Sequence, residues 1–375
     1  MGLDRSTMGG PRAMHAVQRG WRDSPCSAAA AATNDHTARS ARNRFRLSRP
    51  VVLCLVSSRA LRGEHEHRLA FAERSPWKLA SNSQSEVIYA SNSTEDRIAV
   101  FPLGACGDVA PSRTIEGGRT GLAEPRGLSL DAWGRLHVAN RKTATVTVYA
   151  PGAQGNAAPL RVVGACAMHT AEAIVIGHDG DVFVASRADG TIAGQASIVH
   201  FGPNSSHSDY TITGHRTGLT YPVGLASADD GTLLVANAFG GVVAAYAAGS
   251  RGDAAPVRSF TAATTSTQGL ACCASTLLVS GTSVYVYSSG AGAGAQPAAV
   301  LARCPMLPLG CAGVVAIQVA RGTPSTLIGV ADSAHAAVHL IRTGGVAPAL
   351  RVAAVASIAG PATGLGAAVG GLAFA

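Results

Sequence analysis

The chain has 375 residues, 47% of them apolar and only 5% aromatic, with 44 Gly and 18 Pro that follow no three-residue period. This excludes collagen and calls for a core of small and β-branched side chains, the kind an all-β chain with many turns can fill. The net charge of +8 falls wholly in the first 80 residues, which hold 14 of the 30 basic and 6 of the 22 acidic residues and leave 16 of each to residues 81–375.

A neutral folded portion exerts no general pull on phosphate backbones, so nucleic acid is disfavoured as a partner. Eight cysteines in a chain of this length exclude a disulfide-framed mini-domain, and no CxxC points to a zinc ribbon or a dithiol redox motif.

Residues 1–80 read as a basic N-terminal region that is expected to be disordered, because Arg-, Ala- and Ser-rich sequence buries too little apolar surface to order itself. A targeting segment and a mispredicted upstream start are the alternatives. The apolar run Val51–Val56 follows the basic stretch Arg39–Arg49 but has six residues, short of the roughly 7–15 of a secretory core. The compartment stays open, with an extracellular or cell-envelope setting favoured. Glu64-His65-Glu66-His67 does not match HExxH and reads as a solvated turn.

From about Ser85 the chain repeats itself. A strand ending of the IYASN type closes at Asn92, Asn140, Ser186, Asn237, Gly281 and Asp332, at gaps of 48, 46, 51, 44 and 51 residues. A period near 48 with apolar alternation of two inside each copy indicates propeller blades rather than helical hairpins. Each copy offers a Gly-apolar strand (GLSL at Gly127, AIVI at Ala173, GLAS at Gly224, GLAC at Gly269, GLAF at Gly371) and then the VAN-type strand. A third strand such as VTVY at Val146 follows, then a Gly/Ala/Pro linker and a fourth strand such as LRVVG at Leu160. Gly and Pro set the linker's backbone angles, so neither it nor GAGAGA at Gly290 needs a bound phosphate to explain it.

The repeats open on a second-strand copy at Glu86–Tyr89 and close on a first-strand copy at Gly371–Ala375. Together the two complete one blade. The expected fold over 85–375 is therefore all-β, a six-bladed β-propeller of four-stranded antiparallel blades closed by pairing of N- and C-terminal strands. Trp77–Ala80 competes for the same place. Val352–Ala375 carries no charge and is long enough for a membrane helix, but it contains the repeat's TGL and GLA landmarks and reads as blade sequence. Cys304 and Cys311 could close a small loop in an oxidising compartment. A monomer is expected.

The pattern P-x-GLA-x-D-x-x-G-x-L-x-VAN followed by VTVYAPGAxGNAAP resembles NHL-type propeller repeats of the bacterial, uncharacterised and often exported variety. The resemblance is strongest over Pro125–Gly164 and Pro222–Phe260. It implies the six-bladed ring and no single activity, since the fold hosts hydrolases, lyases, RNA binders and scaffolds.

In such a ring the start of each innermost strand lines the channel, which selects Arg126, Glu172, Val223, Gln268 and Gly370. Arg126, Glu172 and Gln268 are the ligand-binding candidates. Arg126 and Glu172 come from adjacent blades and could pair as a structural plug of the channel mouth; the alternative is an anion or carboxylate site built on the guanidinium fork.

The six-bladed gluconolactonase-like group resembles the same ring and implies a Ca²⁺ or other divalent cation held by Glu, Asn and Asp, with Glu172 the candidate ligand. Against it, Asn92, Asn140, Asn237 and Asp332 recur at one place per blade, as turn-capping residues do. No GxSxG or P-loop motif occurs. The reading is a non-enzymatic scaffold without cofactor that binds a protein, glycan or small ligand. The alternative is a metal-dependent lactonase, so enzymatic activity stays open.

Overall fold

A computed structural model describes residues 87–375 except 165–166, 178, 188–195, 274, 304–313, 320–324, 333–334, 345–350, 366–368 and 375. Residues 1–80, the Trp77–Ala80 strand, the His178 turn and the Cys304–Cys311 loop lie outside the described residues.

The strands form six antiparallel four-stranded sheets. Blade 1 takes β1 (Val87–Asn92), β2 (Arg97–Pro102) and β3 (Arg113–Ile115) from the start of the described chain and β24 (Val369–Phe374) from its end. Blade 2 is β4 (Pro125–Leu130), β5 (Leu136–Asn140), β6 (Thr145–Tyr149) and β7 (Arg161–Val163). Blade 3 is β8 (Ala173–Ile176), β9 (Val182–Ser186), β10 (Ser197–Phe201) and β11 (Tyr210–Thr213). Blade 4 is β12 (Pro222–Ser227), β13 (Leu233–Asn237), β14 (Val242–Tyr246) and β15 (Arg258–Thr261). Blade 5 is β16 (Gly269–Cys273), β17 (Thr276–Ser280), β18 (Ser283–Ser288) and β19 (Ala299–Arg303). Blade 6 is β20 (Val314–Val319), β21 (Ser325–Asp332), β22 (Ala337–Gly344) and β23 (Arg351–Ala359).

The expected closure is present. β24 pairs with β1 through Ile88–Phe374, Tyr89–Ala373 and Ala90–Leu372, so neither strand is left as an open edge. The uncharged C-terminal stretch forms β23, a short 3-10 turn at Pro361–Thr363 and β24. No helix among the described residues is long and apolar enough to cross a membrane.

The innermost strands β4, β8, β12, β16, β20 and β24 pack each on the next around the ring. The repeated glycine at their starts is a steric requirement. A Cβ on Gly127 would lie 2.8 Å from the Ile174 nitrogen, one on Gly224 3.0 Å from the Gly269 Cα, and one on Gly371 2.1 Å from the Arg126 carbonyl oxygen. Backbone meets backbone at these points. Second and third strands are sandwiched between neighbouring blades, so β1, β5, β6 and β13 are buried throughout. The core is accordingly distributed. One cluster joins Ala331, Val338 and Ile358 of blade 6 to Ile88, Phe101 and Leu372 of blade 1, and another joins Ile198 and Ile212 of blade 3 to Val235 and Tyr246 of blade 4.

The two recurrent linkers act as fasteners between blades. In T-G-L, the Thr120 hydroxyl donates to the Gly117 carbonyl (2.7 Å) and accepts from the Leu122 N–H (3.3 Å). Thr217 and Thr363 repeat the arrangement. The buried Tyr149 hydroxyl then donates to the Thr120 carbonyl at 2.6 Å, and Tyr246 donates to that of Thr217. Burial pushes the Tyr149 phenol up to about 12, so it stays a neutral donor.

In the Gly-Asn/Asp-x-Ala-Pro linker, the carboxyl or amide reaches back to the preceding blade. Asn156 accepts from the Arg119 N–H (2.8 Å), Asp253 from the Arg216 N–H (2.7 Å), and Asp108 from the Ala362 N–H (2.7 Å). The last of these spans the junction of blades 6 and 1. The linker is structural, as expected, but it joins two blades rather than only turning within one.

Candidate functional site

Because strands alternate in direction, the end of each second strand lies beside the start of its first strand. Asn140 pairs with Pro125, Asn237 with Pro222, and Ser280 with Gly269. The recurrent Asn and Ser residues are buried there and bond mostly to backbone, while Asp332 also meets the His335 and His339 rings. Asn92 caps the turn after its own strand by accepting from the N–H groups of Thr94 (3.1 Å) and Glu95 (3.2 Å).

Asn92 Nδ2 also donates to the Gly364 carbonyl (3.1 Å) of the linker entering β24, and Asn140, Ser186 and Asn237 hold their own incoming linkers by accepting from the N–H groups of Ala123 (3.1 Å), His169 (3.0 Å) and Thr220 (2.9 Å). The capping expectation is therefore refined: these residues tie the second strand to the segment that enters the first. Asn92 is fully buried, so its Asn-Ser-Thr sequon is inaccessible to glycosylation.

Arg126 is the second residue of β4, and Glu172 and Gln268 immediately precede β8 and β16. Val223 and Gly370 fall at the second positions of β12 and β24. Arg126 and Glu172 form no ion pair with each other. Glu172, 7% exposed, accepts instead from Arg141 Nε at 3.1 Å and lies 3.4 Å from Arg187 Nε. The reason is register. Arg141 and Arg187 directly follow β5 and β9, and each strand end is held beside the start of an inner strand, so their guanidinium groups flank Glu172 from both sides.

Arg141 Nη1 also bonds Glu124 at 2.9 Å. The Arg187 guanidinium lies over the Tyr221 ring at 4.4 Å, and Tyr221 meets Phe239 edge-on at 5.0 Å. The result is a continuous ladder across blades 2, 3 and 4: Glu124, Arg141, Glu172, Arg187, Tyr221, Phe239. Gln268 donates to Ser266 Oγ at 3.3 Å, and Ser266 is bridged to Phe239.

Three guanidinium groups face two carboxylates in this cluster. Burial lowers the pKa of Arg187; Glu172 opposes that shift, and Arg141 and Arg126 add to it. Arg126 directly precedes Gly127, whose backbone meets that of Ala173 and Ile174 just after Glu172, so its main chain lies next to the start of β8. The Arg126 Nε is buried without a hydrogen-bond partner. Arg97, Arg113 and Arg258 share that feature, but each spends a terminal nitrogen on Gly364, Tyr89 or Ser289. Arg126 makes no ion pair or side-chain hydrogen bond among the described residues.

The sequence reading missed Arg141, Arg187, Tyr221 and Phe239. A signal for the first two was present: the residue after the recurrent position changes from blade to blade (Ser93, Arg141, Arg187, Ala238, Thr282) while the residue before it hardly does.

Two further titratable clusters lie outside this ladder. Asp131, at the turn between β4 and β5, accepts from the N–H groups of Trp133 and Arg135 (both 2.9 Å), from Arg135 Nε (2.6 Å) and from His137 Nε2 (3.1 Å). Burial would raise its carboxyl, but the His137 and Arg135 hydrogen bonds outweigh that and hold it at about 2. A depressed carboxyl contributes stability that is present above its unfolded value and lost as pH falls through the folded one. Asp131→Asn should therefore cost about 2 kcal/mol above pH ~4 and nothing near pH ~2, read from urea unfolding of both proteins across that range.

In blade 6, His339 Nδ1 meets Ser357 Oγ at 2.8 Å and its Nε2 lies 3.4 Å from Asp332. Burial lowers the pKa of His339, with Asp332 opposing. His339 and Asp332 are buried, and their registers match Thr147 and Asn140 of blade 2, where the same hydrogen bond is structural. Among the described residues no group of three His, Cys, Asp or Glu is arranged to hold a metal ion.

No known family's model matches the chain, and no curated protein matches it. Solved structures do. A protein of unknown function from Bacteroides caccae aligns over 78% of this chain and 99% of its own, with a TM-score of 0.53 and 10% identity. Virginiamycin B lyase from Staphylococcus aureus aligns over 66% of this chain and 72% of its own, with a TM-score of 0.43 and 11% identity. At such identities the likeness concerns architecture alone, and that architecture is the one the strand pairings build: a six-bladed β-propeller of four-stranded antiparallel blades, its first blade completed by the chain's last strand.

Proposed function

We propose that this propeller is a non-enzymatic binding module of NHL-like type, and that its ligand surface is the mouth where the innermost strands begin. The observation that carries the reading is Arg126, a cation with no partner among the described residues, standing beside a ladder whose other charges are matched. A guanidinium in that position is a ready fork for an anionic group.

The lactonase alternative asks for several hard oxygen ligands converging on a cation. The donor set does not fit. Glu172 is held between two guanidinium groups, and the Asn92, Asn140 and Asn237 oxygens accept from backbone N–H groups. A cation at Glu172 would have to compete with Arg141 and Arg187.

The test is calorimetric titration of the full chain with inorganic phosphate at low salt, beside the Arg126→Gln variant. Saturable binding that weakens at least tenfold in the variant is expected. Equal binding by both proteins would remove Arg126 from the site and the reading with it.

A further inference from the structure

The cluster at the mouth has more in it than a cation. Arg126, Arg141 and Arg187 set against Glu124 and Glu172 leave one positive charge in excess. A single-charge anion matches that surplus.

The same carboxylates are acceptors for hydroxyl groups. Glu124 is 38% exposed on its side chain and keeps an oxygen beyond the one bonded to Arg141. Gln268 brings an amide to the neighbouring blade's strand start, and amides both donate to and accept from hydroxyls.

Phe239 supplies the third element. It is 68% exposed, the most exposed large apolar side chain among the described residues. It stands at the turn after β13, followed by Gly240 and Gly241 at φ 74° and 65°. A Cβ on Gly241 would lie 2.0 Å from the Thr264 carbonyl oxygen, so the loop's path is fixed by the linker between β15 and β16 behind it. Its N–H and C=O groups are engaged as well: Ala238 N donates to Tyr221 O (2.8 Å) and Gly240 N to Thr265 O (3.1 Å). An aromatic ring held out on a pinned turn, backed by Tyr221 and next to Arg187, is a platform rather than a loose side chain.

We infer that the mouth takes a carboxylated sugar: Arg126 and Arg187 receive the carboxylate, Glu124 and Gln268 the ring hydroxyls, and Phe239 with Tyr221 the apolar C–H face. The inference rests on the anion-binding reading above and narrows it. A guanidinium fork alone would accept any small anion. The exposed aromatic pair beside it, together with acceptors for hydroxyl groups, selects a hydroxyl-rich ring that bears a carboxylate.

The experiment titrates the full chain with trigalacturonate, with its fully methyl-esterified counterpart, and with inorganic phosphate. Phe239→Ala and Arg126→Gln are run alongside, and thermal melting checks that both are folded. Wild type should bind trigalacturonate and should bind the ester at least tenfold more weakly, since esterification removes the charge and leaves the ring. Phe239→Ala should weaken trigalacturonate about fivefold or more and leave phosphate unchanged, whereas Arg126→Gln should weaken both. If trigalacturonate does not bind, or binds Phe239→Ala as well as wild type while phosphate still depends on Arg126, the sugar assignment falls and the anion reading stands. If Arg126→Gln changes neither ligand, both fall together.

Discussion

Gly371→Val should abolish the folded ring. A Cβ at this position would sit 2.1 Å from the Arg126 carbonyl oxygen and 3.3 Å from the Gly127 Cα, both main-chain atoms of the adjacent inner strand. Backbone in a paired strand cannot move aside as a flexible side chain can, so the clash must part β24 from β4 and open the closure between blades 1 and 2. The expected cost exceeds about 4 kcal/mol, in the range of severe single substitutions. It would be read as loss of the cooperative thermal transition or as failure to obtain soluble protein. Gly104→Ala is the control: nothing lies within 4 Å of the Cβ it would add, and its φ is not positive, so its melting temperature should stay within a degree or two of wild type. A Gly371→Val protein that melts like wild type would mean that the inner strands are not in backbone contact there.

Glu172→Gln separates two roles for the buried carboxylate held between Arg141 and Arg187. If Glu172 is the counter-charge that holds Arg141 and Arg187, the substitution leaves two guanidinium groups facing each other across a neutral amide. Breaking a fully buried pair costs about 3–5 kcal/mol. Arg141 is about a third exposed and is screened by water, so about 2 kcal/mol is the expected loss.

Anion affinity should move the other way. Removing one negative charge about 7 Å from a bound anion, at an effective dielectric constant of about 40, is worth about 1 kcal/mol, or roughly fivefold. The account therefore predicts a less stable protein that binds phosphate more tightly. A metal ligand would behave differently: its loss would weaken binding that depends on added Ca²⁺ or Mn²⁺ and leave phosphate affinity as it was.

The architecture was legible because its determinants are local and repeated. Alternation of two, the Gly-Leu-Ala start, the VAN ending and the orphan strand at each end of the repeat region define the blades before any contact is known, and the C-terminal GLAF pairs where the missing strand required it. The fasteners were half legible. The T-G-L and Gly-Asn/Asp linkers stand out as punctuation, but their hydrogen bonds run to a neighbouring blade, from Asn156 back to Arg119 and from Asp108 to Ala362, and a repeat read one copy at a time does not show which copy its polar atoms reach.

The site was least legible. Counting along the strand places Arg126 and Glu172 in adjacent blades, where they could pair. What decides the partner is the antiparallel neighbour, which carries Arg141 and Arg187 to Glu172 and leaves Arg126 without one. Phe239 looks like one more loop residue until its exposure and its edge contact with Tyr221 are seen.

The most direct measurement is a pair of anomalous-difference maps from crystals of the protein, one soaked in bromide and one in Mn²⁺. The account predicts a bromide peak within hydrogen-bonding reach of Arg126 and no manganese peak at Glu172. A manganese ion coordinated by Glu172, with Arg141 and Arg187 displaced, would contradict it.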